Sequence, residues 1–355
     1  MKRPVSPKDS LSGGKRTADA TKSFSRRKIF KGAAAAAAAL PLVDSFTGRA
    51  QAQAAAQAPQ AGAAPAPGRG GGRGNPQGGA GAIKVLLITK FHPFDREPFF
   101  QMFDSFGKDI TWTHVEQPAA QVFFNPEIAK PYDVFVLYDA FAGRIRRAKP
   151  DGTFENVETE PSPELRRNFK ALLQQGKGFV FFHHALASWV HTWPEYIEVM
   201  GGAADWGAAI KGVRGKDYPL SGFRGKVQQH VTVVDKTHPI TQGVGDTFDI
   251  VDETYLCPMF EDSVHPLLRT DFKPSVETFP MQKQRDPNWN HPDGSNMTGW
   301  VKTAENSPIV YLQHGHDAEA WGNEAFKKLM LNSIKWASSK EALDWAKKNP
   351  KKIFS

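Results

Sequence analysis

Two short stretches of this 355-residue sequence place histidines directly after apolar residues. His183 and His184 follow GFVFF, and His314 and His316 end IVYLQHGH. Side chains alternate in direction along a strand, so we expect only one of the two adjacent histidines to face a site. The i, i+2 spacing lets the other two point the same way. A lone histidine after a strand is commonly a core residue, but two such pairs indicate imidazole chemistry.

An acidic pair, Asp252 and Glu253, interrupts a third apolar stretch, FDIVDETYL. Buried carboxylates are rare without a partner, and the histidines are their natural partners here. Two or three imidazoles and one carboxylate form the ligand set of a catalytic zinc-type site, in which one position stays open to water. The same groups could instead perform metal-free acid and base chemistry. The long spacing between the motifs leaves both hypotheses open.

Alternating strands and helices are expected to position these residues. The apolar runs IKVLLIT, ITWTHV, YDVFVLYDA and GFVFF are separated by helical patterns. One helix, PSPELRRNFKALLQQG, has Pro163 and Glu164 in its first turn and Gly176 as its stop. This order predicts an α/β fold, a parallel sheet with helices on both faces. Ligands of such sheets lie outside the carboxyl ends of the strands, where GFVFF delivers its two histidines.

The first 54 residues are typical of an export signal. Arg26 and Arg27 in SFSRRKIFK closely resemble the twin-arginine signature. The apolar run over 33–43 is too short for the ~20 residues of a membrane-spanning helix. Cleavage sites of the small-x-small type occur near Ala52 and Ala54. We therefore expect passage through the twin-arginine export machinery, a periplasmic or otherwise exported protein, and no stable membrane anchor.

The net positive charge of the chain lies within these first 54 residues. Residues 1–54 carry 11 Lys or Arg and 3 Asp or Glu, a surplus of 8, and the surplus of the whole chain is also +8. The mature protein is thus near neutral, which argues against a nucleic-acid partner. The single cysteine, Cys257, can form no internal disulfide.

Composition also divides the rest of the chain. Residues 55–82 consist almost entirely of Ala, Gly, Pro and Gln, which predicts a disordered linker. The composition changes abruptly to apolar residues at the strand that begins at Ile83, so we predict that the folded domain spans residues 83–338. Residues 339–355 are predicted to form a C-terminal helix and a basic tail.

Several motifs together resemble the ThuA-like proteins, a family named for trehalose utilisation. GFVFFHHALASW, WPEYIEVMGG, HPITQG, DIVDETY, IVYLQHGHD and IKWA occur in the family's order and spacing over residues 83–338. The resemblance implies a flavodoxin-like, class I glutamine amidotransferase-like fold, with the turn after Phe182 at the position of the nucleophile elbow. That turn carries histidines instead of the catalytic cysteine, and Cys257 lies far away in the sequence. Glutamine hydrolysis through a thioester is therefore not expected.

The resemblance also implies the site residues. Its recurrent polar positions fall on His183, Glu253 and His316, which we predict to bind a divalent metal, with zinc as the expected ion. Glu253, His184 and Asp252 are the predicted catalytic residues, whether or not a metal takes part. His314 is less typical of the family, and His238 in HPITQG is interpreted as a turn residue near the site.

The expected substrate is a carbohydrate. Family members are associated with the use of disaccharides such as trehalose and their oxidised, 3-keto forms. We predict that tryptophans in loops at the strand ends form a platform for a sugar, because flat aromatic faces suit a pyranose. The predicted platform residues are Trp189, Trp193, Trp206, Trp289 and Trp321. Trp112 and Trp336 are instead predicted to be core residues. The resulting hypothesis is an exported enzyme acting on a glycoside or 3-keto sugar, and the alternative is a non-catalytic sugar-binding or assembly protein.

Overall fold

The computed structural model describes residues 77–90 and 92–354. The predicted signal peptide and most of the predicted linker lie outside the described residues. The last part of that linker, Gln77–Gly79, forms a strand antiparallel to Ile110–Glu116, so the ordered chain begins before residue 83. Glycine is required there, because a Cβ on Gly78 would lie 2.2 Å from a carboxylate oxygen of Asp104 and 2.9 Å from the Trp112 indole.

The strands of the described residues are numbered in chain order: β1 Gln77–Gly79, β2 Ile83–Lys90, β3 Ile110–Glu116, β4 Val134–Asp139, β5 Arg144–Ala148, β6 Phe154–Glu158, β7 Gly178–Phe182, β8 Ile210–Val213, β9 Lys216–Tyr218, β10 Gly222–Val233, β11 Thr247–Leu256, β12 His265–Thr270, β13 Met297–Ala304 and β14 Ser307–Leu312. The α-helices are α1 Arg96–Asp104, α2 Pro126–Ala129, α3 Pro163–Gln175, α4 Pro194–Met200, α5 Pro280–Arg285, α6 Ala318–Gly322, α7 Glu324–Ala337 and α8 Lys340–Lys348. No helix among them is long and apolar enough to cross a membrane.

Ten strands form one sheet in the order β1-β3-β2-β4-β7-β14-β13-β12-β10-β11. Strands β3, β2, β4, β7 and β14 are parallel, as the alternating pattern predicts, and the remaining neighbours pair antiparallel. The predicted α/β fold is confirmed, but the sheet is mixed rather than wholly parallel. The parallel half places the carboxyl ends of β2, β4, β7 and β14 at one edge.

Helices cover both faces of the parallel strands. Phe179 and Phe181 of β7 belong to a core cluster with Phe169 of α3, whereas Val180 and Phe182 point into the opposite cluster with α1 and α7. Alternate side chains of one strand thus enter two separate cores. Each fully buried side chain of this size contributes about 1.5–3 kcal/mol. Burial on both faces explains why these strands read as continuous apolar runs.

The hairpin of β10 and β11 reaches over the strand ends. β10 pairs with β12 only over Val231–Val233 but with β11 from Gly222 to Thr232. A bulge between Arg224 and Val227 bends the ribbon. Its far end lies against the segment after β14, where the Gln313 amide donates to the Thr254 hydroxyl at 3.1 Å. The mid-part of β11 is thereby brought to the edge that carries the histidines.

The C-terminal segment is packed onto the same domain. α8 begins after Ser339, whose hydroxyl accepts the N–H of Ala342 at 3.1 Å. The tail then returns to the sheet, and the Phe354 N–H donates to the Glu305 carboxylate at 3.0 Å. Phe354 itself lies in the core cluster on the α3 face.

Candidate functional site

Three ligand atoms from three separate segments converge at the carboxyl edge of the sheet. Nε2 of His183 lies 2.9 Å from Nδ1 of His316 and 3.4 Å from Oε2 of Glu253. Oε2 of Glu253 lies 3.3 Å from Nδ1 of His316. Bonds of the usual zinc length, arranged tetrahedrally, put neighbouring ligand atoms roughly 3.3 Å apart. The spacing and the donor types of this cluster, which we call the His183–Glu253–His316 triad, therefore fit one divalent metal.

The turn after β7 presents the His183 ring. His183 adopts a left-handed conformation, with φ of 53°, at the start of the 3-10 helix His183–Ala187. Such a conformation is strained for a side-chain-bearing residue and is frequent at functional sites. The ring nitrogen Nδ1 lies 3.0 Å from the Gln313 carbonyl oxygen, and the Tyr311 hydroxyl donates to the His183 carbonyl at 2.7 Å. Donation from Nδ1 directs Nε2 toward Glu253 and His316, so Nε2 can bind a metal once it carries no proton.

The Tyr255 hydroxyl completes the inner side of the triad. Its oxygen lies 2.8 Å from Nε2 and 3.0 Å from Nδ1 of His183. Burial, and secondarily the negative charge of Glu253, raises the pKa of Tyr255 well above its usual range. The site therefore contains a neutral hydroxyl beside its metal-facing nitrogen.

Asp252 holds the loop that carries His316. Its two carboxylate oxygens accept the backbone N–H groups of Gly315 at 2.6 Å and His316 at 3.1 Å. The Trp321 indole N–H donates to the Gly315 carbonyl at 2.8 Å. Gly315 is required because its φ is 119°, and a Cβ would also lie 3.0 Å from the Phe182 ring. Asp252 was predicted to be catalytic, and its contacts give it a positioning role.

The charges of the triad are set by mutual contact. Burial raises the pKa of the Glu253 carboxyl, but hydrogen bonds from His183 and His316 outweigh it and hold this pKa well below its usual range. Burial lowers the pKa of His316, and the bond to Glu253 outweighs that effect, so its pKa is raised. Glu253 is thus an anion at neutral pH. An ionised carboxylate is the form that binds a metal.

His184 lies beside the triad but not in it. Its ring centroid is 5.0 Å from that of His183 and 4.1 Å from that of Tyr138, and the side chain is 1% exposed. Neither ring nitrogen has a hydrogen-bond partner among the described residues. Burial, followed by repulsion from His92, lowers its pKa well below the usual range. A buried imidazole without a partner is an incomplete arrangement that a bound ligand or water would satisfy.

His92 also lies beside the triad, although it is not among the site residues predicted from the sequence. Its ring lies 5.0 Å from His316 and 4.9 Å from His184, two residues after the end of β2. Burial, followed by repulsion from His316, lowers its pKa to about 4. The strand-end rule that selected His183 could have found His92, because IKVLLITK also ends at this edge.

Two other predicted histidines serve elsewhere. His314 is buried on the other side of its strand end, with Nε2 3.4 Å from the Gln229 side-chain oxygen. The i, i+2 expectation for His314 and His316 is therefore wrong, because the chain turns at Gly315 instead of continuing as a strand. His238 caps the 3-10 helix Pro239–Thr241, and its ring packs on Trp336 at 4.8 Å. It makes no contact with the triad.

The predicted tryptophan platform is mostly core. Trp193 packs edge-on against Phe169 at 5.3 Å and against Tyr196 at 5.1 Å, and Trp321 supports the Gly315 loop. Trp206 alone among the five is half-buried, and its ring lies 5.0 Å from that of Tyr255. These residues lie in loops, as predicted, or in the short helix α6, but the loops pack inward. The exposed fractions of the other four are Trp189 4%, Trp193 1%, Trp289 3% and Trp321 2%.

A second acidic and imidazole group occurs at Glu158, His191 and Asp205. Arg144 donates to Asp205 at 2.7 Å and to Glu158 at 2.5 Å, and Nε2 of His191 lies 2.7 Å from Asp205. The bond to Asp205 raises the pKa of His191. Burial raises the pKa of Asp205, but His191 and Arg144 outweigh it and lower this pKa. The guanidinium already supplies the positive charge, so this group is an ion-pair network.

Cys257 is buried, and burial raises the pKa of its thiol to about 12. A thiol that stays protonated is a poor nucleophile. The Cys257 side chain belongs to the core cluster on the α3 face.

The solved structures that are similar to this chain include two described as ThuA-like proteins. The one from Parabacteroides merdae ATCC 43184 is 18% identical, with a TM-score of 0.51 over 72% of this chain and 90% of that chain. The one from Bacteroides uniformis ATCC 8492 is 17% identical, with a TM-score of 0.46 over 74% of this chain and 93% of that chain. The first similarity supports the fold alone.

Comparison with curated proteins finds no match to this chain. The family model for ThuA, described as trehalose utilisation, matches residues 84–337. This range includes β2 to α7 and every residue of the triad. The chain belongs to the ThuA family, whose description is carbohydrate-related.

Proposed function

We propose that this chain is an exported carbohydrate-processing enzyme that acts on a glycoside or its oxidised, 3-keto form at a divalent metal. The observation that carries the proposal is the convergence of His183, Glu253 and His316 with ligand atoms 2.9–3.4 Å apart. Family membership supports the carbohydrate class. Arg26 and Arg27 support export.

Zinc is the proposed ion. Two imidazole nitrogens and one carboxylate oxygen, without a thiolate, match the His₂Glu set of catalytic zinc sites. When bound, such an ion lowers the pKa of a water molecule and polarises a carbonyl oxygen. Both effects suit attack on, or proton removal next to, a keto sugar.

The protein's own contribution is orientation. The Gln313 carbonyl fixes which nitrogen of His183 faces the metal, and Asp252 fixes the loop of His316. Such supporting contacts typically matter 10- to 100-fold for metal affinity or activity. His183 and Tyr255 are almost fully buried, so one side of the triad is closed to bulk water. A substrate must enter from the side of His316, which is 27% exposed.

The metal-free hypothesis makes Glu253 the general base. An effective base has a pKa near the working pH. The two imidazoles hold the pKa of Glu253 well below its usual range, which makes it a weak base at neutral pH. The metal hypothesis requires only that Glu253 is ionised.

Elemental analysis of the purified protein, combined with a product screen on trehalose and 3-ketotrehalose, tests the proposal. We expect about one zinc ion per chain, loss of turnover after chelation and recovery with zinc. The matched variant is Glu253→Gln, which keeps the shape but removes the charge. Full turnover without metal would refute the metal assignment, and sugar binding without turnover would support the non-catalytic alternative.

A further inference from the structure

A cleft of about 180 Å³ lies at the carboxyl ends of β2 and β3, next to the triad. Its connection to the triad is His92, whose ring lies 5.0 Å from that of His316. Clefts at this edge are the usual ligand position in α/β sheets. The lining residues are Thr89, Lys90, His92, Phe94, Arg96 and Glu116.

The aromatic member of this lining is firmly held. Phe94 is half-buried, and its ring packs on Phe99 at 4.6 Å, Tyr138 at 5.6 Å and Trp321 at 6.4 Å. A fixed ring with a partly open surface suits the apolar face of a pyranose. Phe94 therefore offers, beside the triad, the stacking surface that the buried tryptophans do not.

The polar members of the lining already have hydrogen-bond partners within the protein. Arg96 donates to Glu116 at 2.8 Å, and its guanidinium lies 5.6 Å from the centre of the Phe94 ring. The ammonium group of Lys90 donates to the carbonyl oxygens of Ala142 at 2.9 Å and Arg144 at 2.6 Å. The two carbonyl oxygens orient the Lys90 ammonium group but do not neutralise its positive charge. Paired side chains can still exchange hydrogen bonds with hydroxyl groups.

The size of the cleft narrows the ligand further. Its volume is below the roughly 300–1,000 Å³ of pockets for drug-sized ligands. It has room for one hexose ring, so the second ring of a disaccharide would lie outside it. His184 does not line the cleft, but its ring, which has no hydrogen-bond partner among the described residues, lies 4.9 Å from that of His92.

We infer that this cleft binds one hexose ring of the substrate, stacked on Phe94, with His92 contacting the ring oxygen or hydroxyl that lies nearest the triad. The inference rests on the proposed function and adds a substrate subsite to it. The ring enters beside His316, the exposed side of the triad, so the reacting oxygen and the metal position lie at the same end of the cleft.

The test is calorimetric titration of the full-length, zinc-treated protein with trehalose and with 3-ketotrehalose. Phe94→Leu keeps an apolar side chain but removes the ring, so we expect roughly 3- to 10-fold weaker binding. Its KM is expected to rise by the same factor, with kcat within about twofold. Phe154→Leu is the matched control, because Phe154 is an exposed ring on β6, 54% accessible. Equal melting temperatures of the variants establish that they fold.

Three results would overturn the inference: unchanged binding by Phe94→Leu, binding of neither sugar by the wild type, or loss of binding in Trp206→Leu alone. The two proposals fail separately. Turnover that Phe94→Leu leaves untouched removes the subsite and retains the enzyme. Sugar binding that weakens in Phe94→Leu, in a protein without metal or turnover, retains the subsite and removes the metalloenzyme.

Discussion

Replacement of His316 by alanine should remove bound metal. His316 supplies one of three protein atoms in the triad, and water would supply a fourth ligand. Structural zinc sites bind with roughly 10–16 kcal/mol, so one ligand of four carries about 3–4 kcal/mol. At 1.4 kcal/mol per tenfold change, metal affinity should fall about 100- to 1,000-fold. Elemental analysis after gel filtration measures this loss directly.

The same change should abolish most of the stabilisation that the metal gives. At a free metal concentration of about 1,000 times Kd, binding adds about 4.1 kcal/mol to the free energy of unfolding. In a domain of this size, 1 kcal/mol corresponds to roughly 2–4 °C. Chelation should therefore lower the melting temperature of the wild type by about 8–16 °C. It should lower that of His316→Ala by at most about 6 °C, because a 100- to 1,000-fold weaker site gives only about 0.4–1.4 kcal/mol at the same metal concentration. Scanning calorimetry with and without EDTA gives both values.

The matched control is His230→Ala. His230 is an exposed histidine on β10, paired with Asp249 at 2.8 Å and away from the triad. This variant should keep its metal and the full chelation shift. Equal chelation shifts in the wild type and His316→Ala, or a wild type without metal after native export, would refute the assignment.

Three further outcomes follow from the leader, the linker and the ion-pair network. Replacement of both Arg26 and Arg27 by Lys should leave the precursor in the cytoplasm on fractionation, and normal periplasmic delivery would contradict the export assignment. Deletion of residues 1–76 should leave the melting temperature unchanged, because that composition buries little apolar surface, and a drop of several degrees would disprove this. The hydrogen bond to Asp205 raises the pKa of His191 in the folded state above its unfolded value, so protonated His191 stabilises the fold. This contribution to the free energy of unfolding is complete below about pH 6.5 and disappears as pH rises through the folded-state pKa. His191→Gln should reduce the difference between the free energies of unfolding measured by urea titration at pH 5.5 and 8.5. An unchanged difference would contradict the assigned role of His191.

Local sequence patterns were sufficient for the parallel half of the fold. Continuous apolar runs identify strands buried on both faces, and alternation with helices requires parallel pairing. The general position of ligands in such sheets then placed His183 and His316 at one edge. The same reasoning could have included His92, since it depends only on the end of β2.

The assignment of tryptophans to loops could not show whether their side chains are exposed or buried. Trp189, Trp193 and Trp289 lie in loops, but burial depends on what a loop folds against. Trp193 packs on Phe169 of α3, which is distant in the sequence, and on Tyr196 of α4. A large aromatic side chain gains more from such packing than from exposure.

The family resemblance predicted that Glu253 joins His183 and His316, but only the tertiary structure shows how the chain brings them together. Its strand, β11, lies at the far edge of the sheet order, and nothing in FDIVDETYL specifies where that strand runs. The bulged β10–β11 ribbon bends over the strand ends, and Asp252 fixes it there by accepting the N–H groups of Gly315 and His316. The sequence determined which residues could bind a metal, because residue type sets their chemistry. Their convergence depends on long-range hydrogen bonds and strand curvature, which no local pattern encodes.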